Sequence, residues 1–139
     1  MIKKTKRSIQ WVKKTKKQKY AGIHLIAEFW NGKIIENQAE LKKILWRAAK
    51  AANNTPLEFV VHKFQPQGIT GVVLLAESHI AYHSWPEFHY AAIDIYTCGE
   101  KASPRKAIEC LKKELRPRKI EIREFKRGKI NLFKCPRKI

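Results

Sequence analysis

Cysteine is scarce in this chain: Cys98, Cys110 and Cys135 are the three in 139 residues, and no Cys-x-x-Cys pair occurs. That argues against a disulfide framework or a four-thiolate zinc site and fits a reducing compartment. No apolar run approaches the ~20 residues of a membrane-spanning helix. The opening residues lack the apolar core and small-residue cleavage site of a secretory signal, and their cations are mostly lysine rather than presequence-like arginine. A cytoplasmic location and no membrane partner are therefore expected. Absent too are Gly-x-Ser-x-Gly and His-Glu-x-x-His, the motifs of serine-hydrolase elbows and zinc proteases.

Acidic residues are few, twelve against thirty lysines and arginines, for a net charge of +18. Such an excess points first to nucleic acid, but its distribution changes the reading. Residues 1–19 hold nine cations and no acid, and residues 116–139 hold ten cations against Glu121 and Glu124. The stretch 20–115 carries eleven basic and ten acidic residues and is nearly neutral. The organisation expected is a basic leader (1–19), one folded domain (20–126) and a basic tail (127–139). Non-specific nucleic-acid contact through the tails is the most that the charge implies. With 44% hydrophobic residues the centre can bury a single core.

Alternation predicts strands over 22–30, 57–64, 69–76, 80–84, 90–98 and 119–125. Asn31-Gly32 and Gln65-Pro66-Gln67-Gly68 read as turns. Asn37 and Glu40 form a capping-box pattern ahead of a helix to Ala52, with Leu41, Ile44, Leu45, Ala48 and Ala49 on one stripe. A second helix opens with Ser103 as cap and Pro104 at the first helical position, and Pro117 stops it. Consecutive strands with short links imply an α+β, two-layer sandwich: an antiparallel sheet covered on one face by two helices.

Chemistry concentrates between Glu77 and Cys98. Ser78 follows an acidic residue at the end of an apolar strand, His79 and His83 follow it, and Cys98 closes the next strand. A Ser78/His83/Asp94 hydrolase and a His79/His83/His89 metal site can be drawn, but neither has a supporting motif. His83, five residues beyond Ser78, reaches it only if the chain turns or bulges.

The run Glu77-Ser78-His79-Ile80, then His83-Ser84-Trp85-Pro86-Glu87-Phe88, Tyr90-Ala91-Ala92-Ile93-Asp94 and Thr97-Cys98-Gly99, resembles the prokaryotic S-adenosylmethionine decarboxylases. Gly22 to Phe29, His62-Lys63-Phe64, Gly68 to Val73 and Ser103 to Ala107 extend the resemblance over residues 20–126. What it implies is a pyruvoyl-dependent enzyme that needs neither pyridoxal phosphate nor metal. Ser78 would attack the carbonyl of Glu77, and the chain would split into a β chain (1–77) and an α chain (78–139) capped by a pyruvoyl group. His83 would be the proton acceptor in processing, and Thr70, where the family usually has serine, would support the oxyanion. The pyruvoyl would form a Schiff base with S-adenosylmethionine, and Cys98 would be the proton donor in catalysis. Phe64 would stack on adenine, Glu87 would bind the ribose hydroxyls, and Trp85 would line the substrate site. A homodimer with sites near the subunit interface is implied as well. His89 stands where the family commonly has glycine. Arginine decarboxylation to agmatine is the alternative activity, and a non-catalytic nucleic-acid-binding protein is the remote one.

Overall fold

A computed structural model describes residues 20–129, so the basic leader, Cys135 and the end of the tail lie outside the described residues. Eight regular elements follow in order: β1 (Tyr20–Trp30), α1 (Gln38–Ala51), β2 (Pro56–Lys63), β3 (Ile69–Leu75), β4 (Ser78–Trp85), β5 (Tyr90–Cys98), α2 (Pro104–Leu115) and β6 (Lys119–Lys129), with a single 3-10 turn at Pro86–Phe88. The strands form one six-stranded sheet, ordered β2-β3-β4-β5-β1-β6, antiparallel throughout. The expected α+β sandwich is the fold observed.

Strand alternation sorts the side chains into two sets. Leu25, Ala27 and Phe29 of β1, Ile69 and Val73 of β3, Ile80 and Tyr82 of β4, and Ala91, Ile93 and Ile95 of β5 are buried in one core. The apolar stripes of α1 (Leu41, Ile44, Leu45, Ala48, Ala49) and α2 (Ala107, Ile108, Leu111, Leu115) close over that face. Each large aliphatic side chain removed from water there contributes roughly 1.5–3 kcal/mol. Tyr82 is fully buried; its hydroxyl accepts a bond from the Ile35 amide at 3.4 Å, and burial pushes its pKa up to about 12.

Helix α1 starts as its sequence indicates. The Asn37 side chain accepts from the Glu40 amide at 2.9 Å, which supplies one of the orphan donors of the first turn. The reciprocal half of the capping box does not form, because the Glu40 carboxylate pairs with Lys33 instead. Ser103 caps α2 without a side-chain bond; its amide donates to the Ala52 carbonyl at 2.9 Å and ties the two helices together. Three strands are longer than alternation predicts. β1 begins at Tyr20 rather than residue 22, β4 spans Ser78–Trp85 rather than 80–84, and β6 runs on to Lys129, past the expected domain end at 126. β6 is almost wholly exposed, so apolar alternation fades there, while backbone pairing to β1 continues to Tyr20↔Lys129.

The other face of the sheet is covered by no described element. It carries Thr70, Val72 and Leu74 of β3, His79, His83 and Trp85 of β4, Tyr90, Asp94, Tyr96 and Cys98 of β5, and His24 and Glu28 of β1. Of the reactive side chains singled out from the sequence, His79, His83, Asp94 and Cys98 project from this face, and Ser78 and His89 stand at the strand ends.

Candidate active site

The bond between Glu77 and Ser78 lies where the two-residue link Ala76–Glu77 enters β4. Ser78 has φ +145°, a conformation that a residue with a side chain rarely adopts. Strain of this kind costs on the order of 1–3 kcal/mol and persists only where the surroundings impose it. Here they do. The Glu77 carboxylate accepts from the Thr55 amide at 2.6 Å, and the Thr55 carbonyl accepts from the Ala76 amide at 2.9 Å. From the far end of β5, the Cys98 thiol donates to the Glu77 carbonyl oxygen at 3.3 Å. The Ser78 hydroxyl lies 3.3 Å from Nδ1 of His79. A hydroxyl, a carbonyl that accepts the Cys98 thiol and a strained backbone conformation at Ser78 therefore adjoin one peptide bond, features that an N-to-O acyl shift can use.

Beneath this point β5 is pinned from within. The Asn54 amide nitrogen donates to Thr97 Oγ1 at 2.8 Å, and both residues are buried. Beside it Gly22 faces Cys98 across the ladder, and a Cβ there would come within 2.8 Å of the Thr97 carbonyl oxygen and 2.9 Å of the Tyr96 ring. Burial, then the negative charge of Glu77, pushes the Cys98 thiol above its ordinary pKa. It is held protonated, the state a proton donor needs.

His83 and Thr70 face each other across β3 and β4, with Thr70 Oγ1 3.0 Å from His83 Nδ1. They are not beside Ser78. β4 pairs with β3 from Ser78 to His83 and with β5 from His79 to Trp85 without a break in register, so no turn or bulge folds His83 back. Five residues of strand separate the two by roughly 16 Å. The other residues expected to bind substrate gather at the His83 end. Trp85 follows His83 on the same face, their ring centroids 6.3 Å apart. Phe64 leaves β2 next to His62, with ring centroids 4.6 Å apart. The Glu87 carboxylate accepts from Gln67 at 3.2 Å. An aromatic ladder continues from there: Trp85 stacks on Tyr90 at 5.3 Å and Tyr90 on Trp30 at 4.5 Å, with the Tyr90 hydroxyl donating to Glu28. His89 takes a left-handed conformation (φ 50°) at the turn into β5, a conformation that glycine adopts at no steric cost. Two groups thus lie at opposite ends of β4: Glu77, Ser78, His79 and Cys98 at one, and Thr70, His83, Trp85, Phe64 and Glu87 at the other.

Two groups near Ser78 escaped the sequence reading. His79, which the sequence offers as a member of a metal set, is the imidazole that meets the Ser78 hydroxyl. Among the described residues no group of three or more His, Cys, Asp or Glu side chains is placed to hold a metal ion. The second is the pair His24 Nε2···Asp94 Oδ1 at 3.1 Å, one row away on β1 and β5. The strict alternation of β1 and β5 could have put both residues on the open face, but not in contact, because the β1–β5 register is a long-range property.

Known proteins give the arrangement a context. A family model described as S-adenosylmethionine decarboxylase matches residues 23–128. An S-adenosylmethionine decarboxylase proenzyme from Methanococcus aeolicus is 46% identical over 112 residues, covering 79% of this chain and 96% of that protein. A protein of the same name from Thermotoga petrophila is 38% identical over 120 residues, covering 85% and 92%. Among solved structures, the adenosylmethionine decarboxylase from Aquifex aeolicus superimposes with a TM-score of 0.73 at 36% identity, covering 80% of this chain and 93% of that one. With a family match across the whole described sheet and a shared fold, this chain belongs to the S-adenosylmethionine decarboxylase family.

Proposed function

We propose that this chain is a proenzyme that cuts itself between Glu77 and Ser78 and then, as a homodimer, decarboxylates S-adenosylmethionine to the aminopropyl donor used in spermidine synthesis. The observation that carries the reading is the strained backbone at Ser78, with the Cys98 thiol on the Glu77 carbonyl and the Ser78 hydroxyl beside an imidazole. Arginine is set aside as a substrate, since the relatives above are named for S-adenosylmethionine and no comparison favours the alternative.

In the processing sequence, Ser78 Oγ bonds to the Glu77 carbonyl carbon and the C–N bond breaks, converting the amide to an ester. Loss of the Ser78 α-proton then expels the Glu77 carboxylate, and water converts the remaining dehydroalanine to pyruvoyl with release of ammonia. The residues around Ser78 fit such a group: a protonated thiol and a half-buried imidazole flank the new α-chain terminus. The pyruvoyl group supplies an electron sink for decarboxylation. Cys98 holds the proton that is delivered to the substrate carbon, and its raised pKa keeps that proton in place at neutral pH.

The base and the substrate-binding residues come from a second copy. Roughly 16 Å of rigid strand separates His83 from Ser78, against the ~3 Å that proton transfer demands. A two-fold axis lying in the plane of the open face and running across β4 stacks the two open faces and sets the Ser78 end of one chain against the His83 end of the other. That pairing also covers Leu74 and Trp85, which are 49% and 40% exposed in the single chain. Phe64 then stacks on the purine, Glu87 accepts from the ribose hydroxyls and faces the sulfonium charge, and Trp85 forms an apolar wall. Thr70 orients His83 through the 3.0 Å contact to Nδ1.

Intact-mass measurement of the purified protein tests the first half: two chains divided at Glu77/Ser78 are expected, the α chain blocked at its terminus. Release of labelled CO₂ from carboxyl-labelled S-adenosylmethionine, and not from arginine, tests the second. A single unmodified chain would remove the proposal.

A further inference from the structure

Two different protons must leave Ser78 during self-processing: first the hydroxyl proton, as the ester forms, and later the α-proton, as the ester is eliminated. The second falls to His83 in the reading above. No residue has been assigned the first. Among the described residues the hydroxyl has one side-chain partner, Nδ1 of His79 at 3.3 Å. The other polar groups at the bond are already committed, the Glu77 carboxylate to the Thr55 amide and the Cys98 thiol to the Glu77 carbonyl.

Resting on the self-processing reading, we infer that His79 is the general base of the first processing step and takes the Ser78 hydroxyl proton through Nδ1. The imidazole is held from several sides. Tyr96 faces it directly across the β4–β5 ladder with ring centroids 5.9 Å apart, and the His24 ring on β1 stands edge-on at 6.3 Å. His24 is itself fixed by Asp94, and Arg127 of β6 lies over the Tyr96 ring at 4.9 Å. These are the charged and titratable groups facing His79 from β1, β5 and β6. Burial first, then His24 and Arg127, lower its pKa, and Asp94 opposes them in part. The ring is therefore neutral at neutral pH, with Nδ1 open as an acceptor when Nε2 carries the proton.

The step balances within the chain. Oγ–H gives its proton to His79 Nδ1 as Oγ bonds to the Glu77 carbonyl carbon, and the oxyanion that forms accepts the Cys98 thiol. The imidazolium then returns the proton to the Ser78 nitrogen as the C–N bond breaks, leaving an ester and an amine. No oxidant or external acid is consumed. Because its base lies on the same strand as its nucleophile, this step needs no second copy, whereas elimination does.

The test compares His79→Ala, His79→Gln and His83→Ala precursors with the parent chain, using hydroxylamine, which cleaves an ester but not a peptide bond. His83→Ala should accumulate a precursor that hydroxylamine splits at Glu77/Ser78. Both His79 variants should form that labile species about a hundredfold more slowly or worse, with added imidazole restoring part of the rate to His79→Ala. Unchanged circular dichroism and melting temperature exclude a folding effect, and His79→Gln serves if His79→Ala does not fold. Ester formation at the parental rate in the His79 variants would overturn the inference while leaving self-processing intact. A parent chain that never divides would instead remove the self-processing reading beneath it.

Discussion

If His83 acts only on the Ser78 of a second copy, two inactive chains should repair each other. The perturbation is co-expression of a Ser78→Ala chain with a His83→Ala chain, each bearing a different affinity tag. Neither processes alone: the first lacks the nucleophile, and the second stalls before elimination. The reason is the strand itself. Between Ser78 and His83 the β4 ladder is continuous with β3 on one side and β5 on the other. Closing a gap of roughly 16 Å within one chain would mean tearing five residues out of both ladders. In a mixed dimer, one of the two sites combines the intact Ser78 of the His83→Ala chain with the intact His83 of its partner. With random pairing at equal expression, about half of the His83→Ala chains should be divided into α and β, and none of the Ser78→Ala chains. Mass spectrometry after separation on the two tags reads both fractions. Absence of cleavage in the mixture, or complete two-chain processing by His83→Ala alone, would refute the shared-site geometry.

Cys98→Ala should still divide, more slowly for want of the thiol on the Glu77 carbonyl, but its decarboxylation rate should fall at least about a hundredfold in a labelled-CO₂ assay. Because burial and Glu77 raise the Cys98 pKa, the donor stays protonated beyond the ordinary thiol range; kcat should hold there and decline only as pH rises through the raised value. Gly71→Ala places a Cβ 2.6 Å from Leu41 Cδ2 and 3.0 Å from the Phe59 ring, so chemical denaturation should show a loss of about 1–3 kcal/mol. Asn54→Ala leaves buried Thr97 without its donor and should lower stability by about 1–3 kcal/mol while loosening the strand that carries Cys98. Asn37→Ala removes the cap on the Glu40 amide and should cost about 1 kcal/mol by the same measurement.

Local patterns made most of the fold legible. The stripe from Leu41 to Ala49 and the cap at Asn37 marked α1 to within a residue, and alternation marked β1 and β5, because a half-buried strand writes its two faces into successive residues. β6 was legible only in its first half, since a basic edge strand held by backbone bonds leaves no apolar signature. The sequence singled out Ser78, His83 and Cys98 as candidates, but not their relative placement. Proximity in sequence suggested that Ser78 and His83 meet, and an uninterrupted strand separates them. Cys98, twenty residues from Ser78, is the group the β4–β5 hairpin brings to the Glu77 carbonyl. The left-handed turn at His89 and the Glu77–Thr55 clamp depend on pairings between distant segments, which no local periodicity records.

The sheet order has a consequence for what a cut at Glu77–Ser78 would leave behind. The first fragment keeps β1, α1, β2 and β3; the second keeps β4, β5, α2 and β6. Since β1 lies between β5 and β6, and β3 pairs with β4, three ladders would join the fragments and neither would retain a complete sheet or core. Scission would thus be chemically complete but topologically silent in the native state. It would change the reverse journey instead: once unfolded, the two pieces must find each other in solution, so recovery becomes concentration-dependent where the uncut precursor refolds as one molecule. Backbone cleavage in this architecture would be a one-way gate on folding, passed only by a chain already folded.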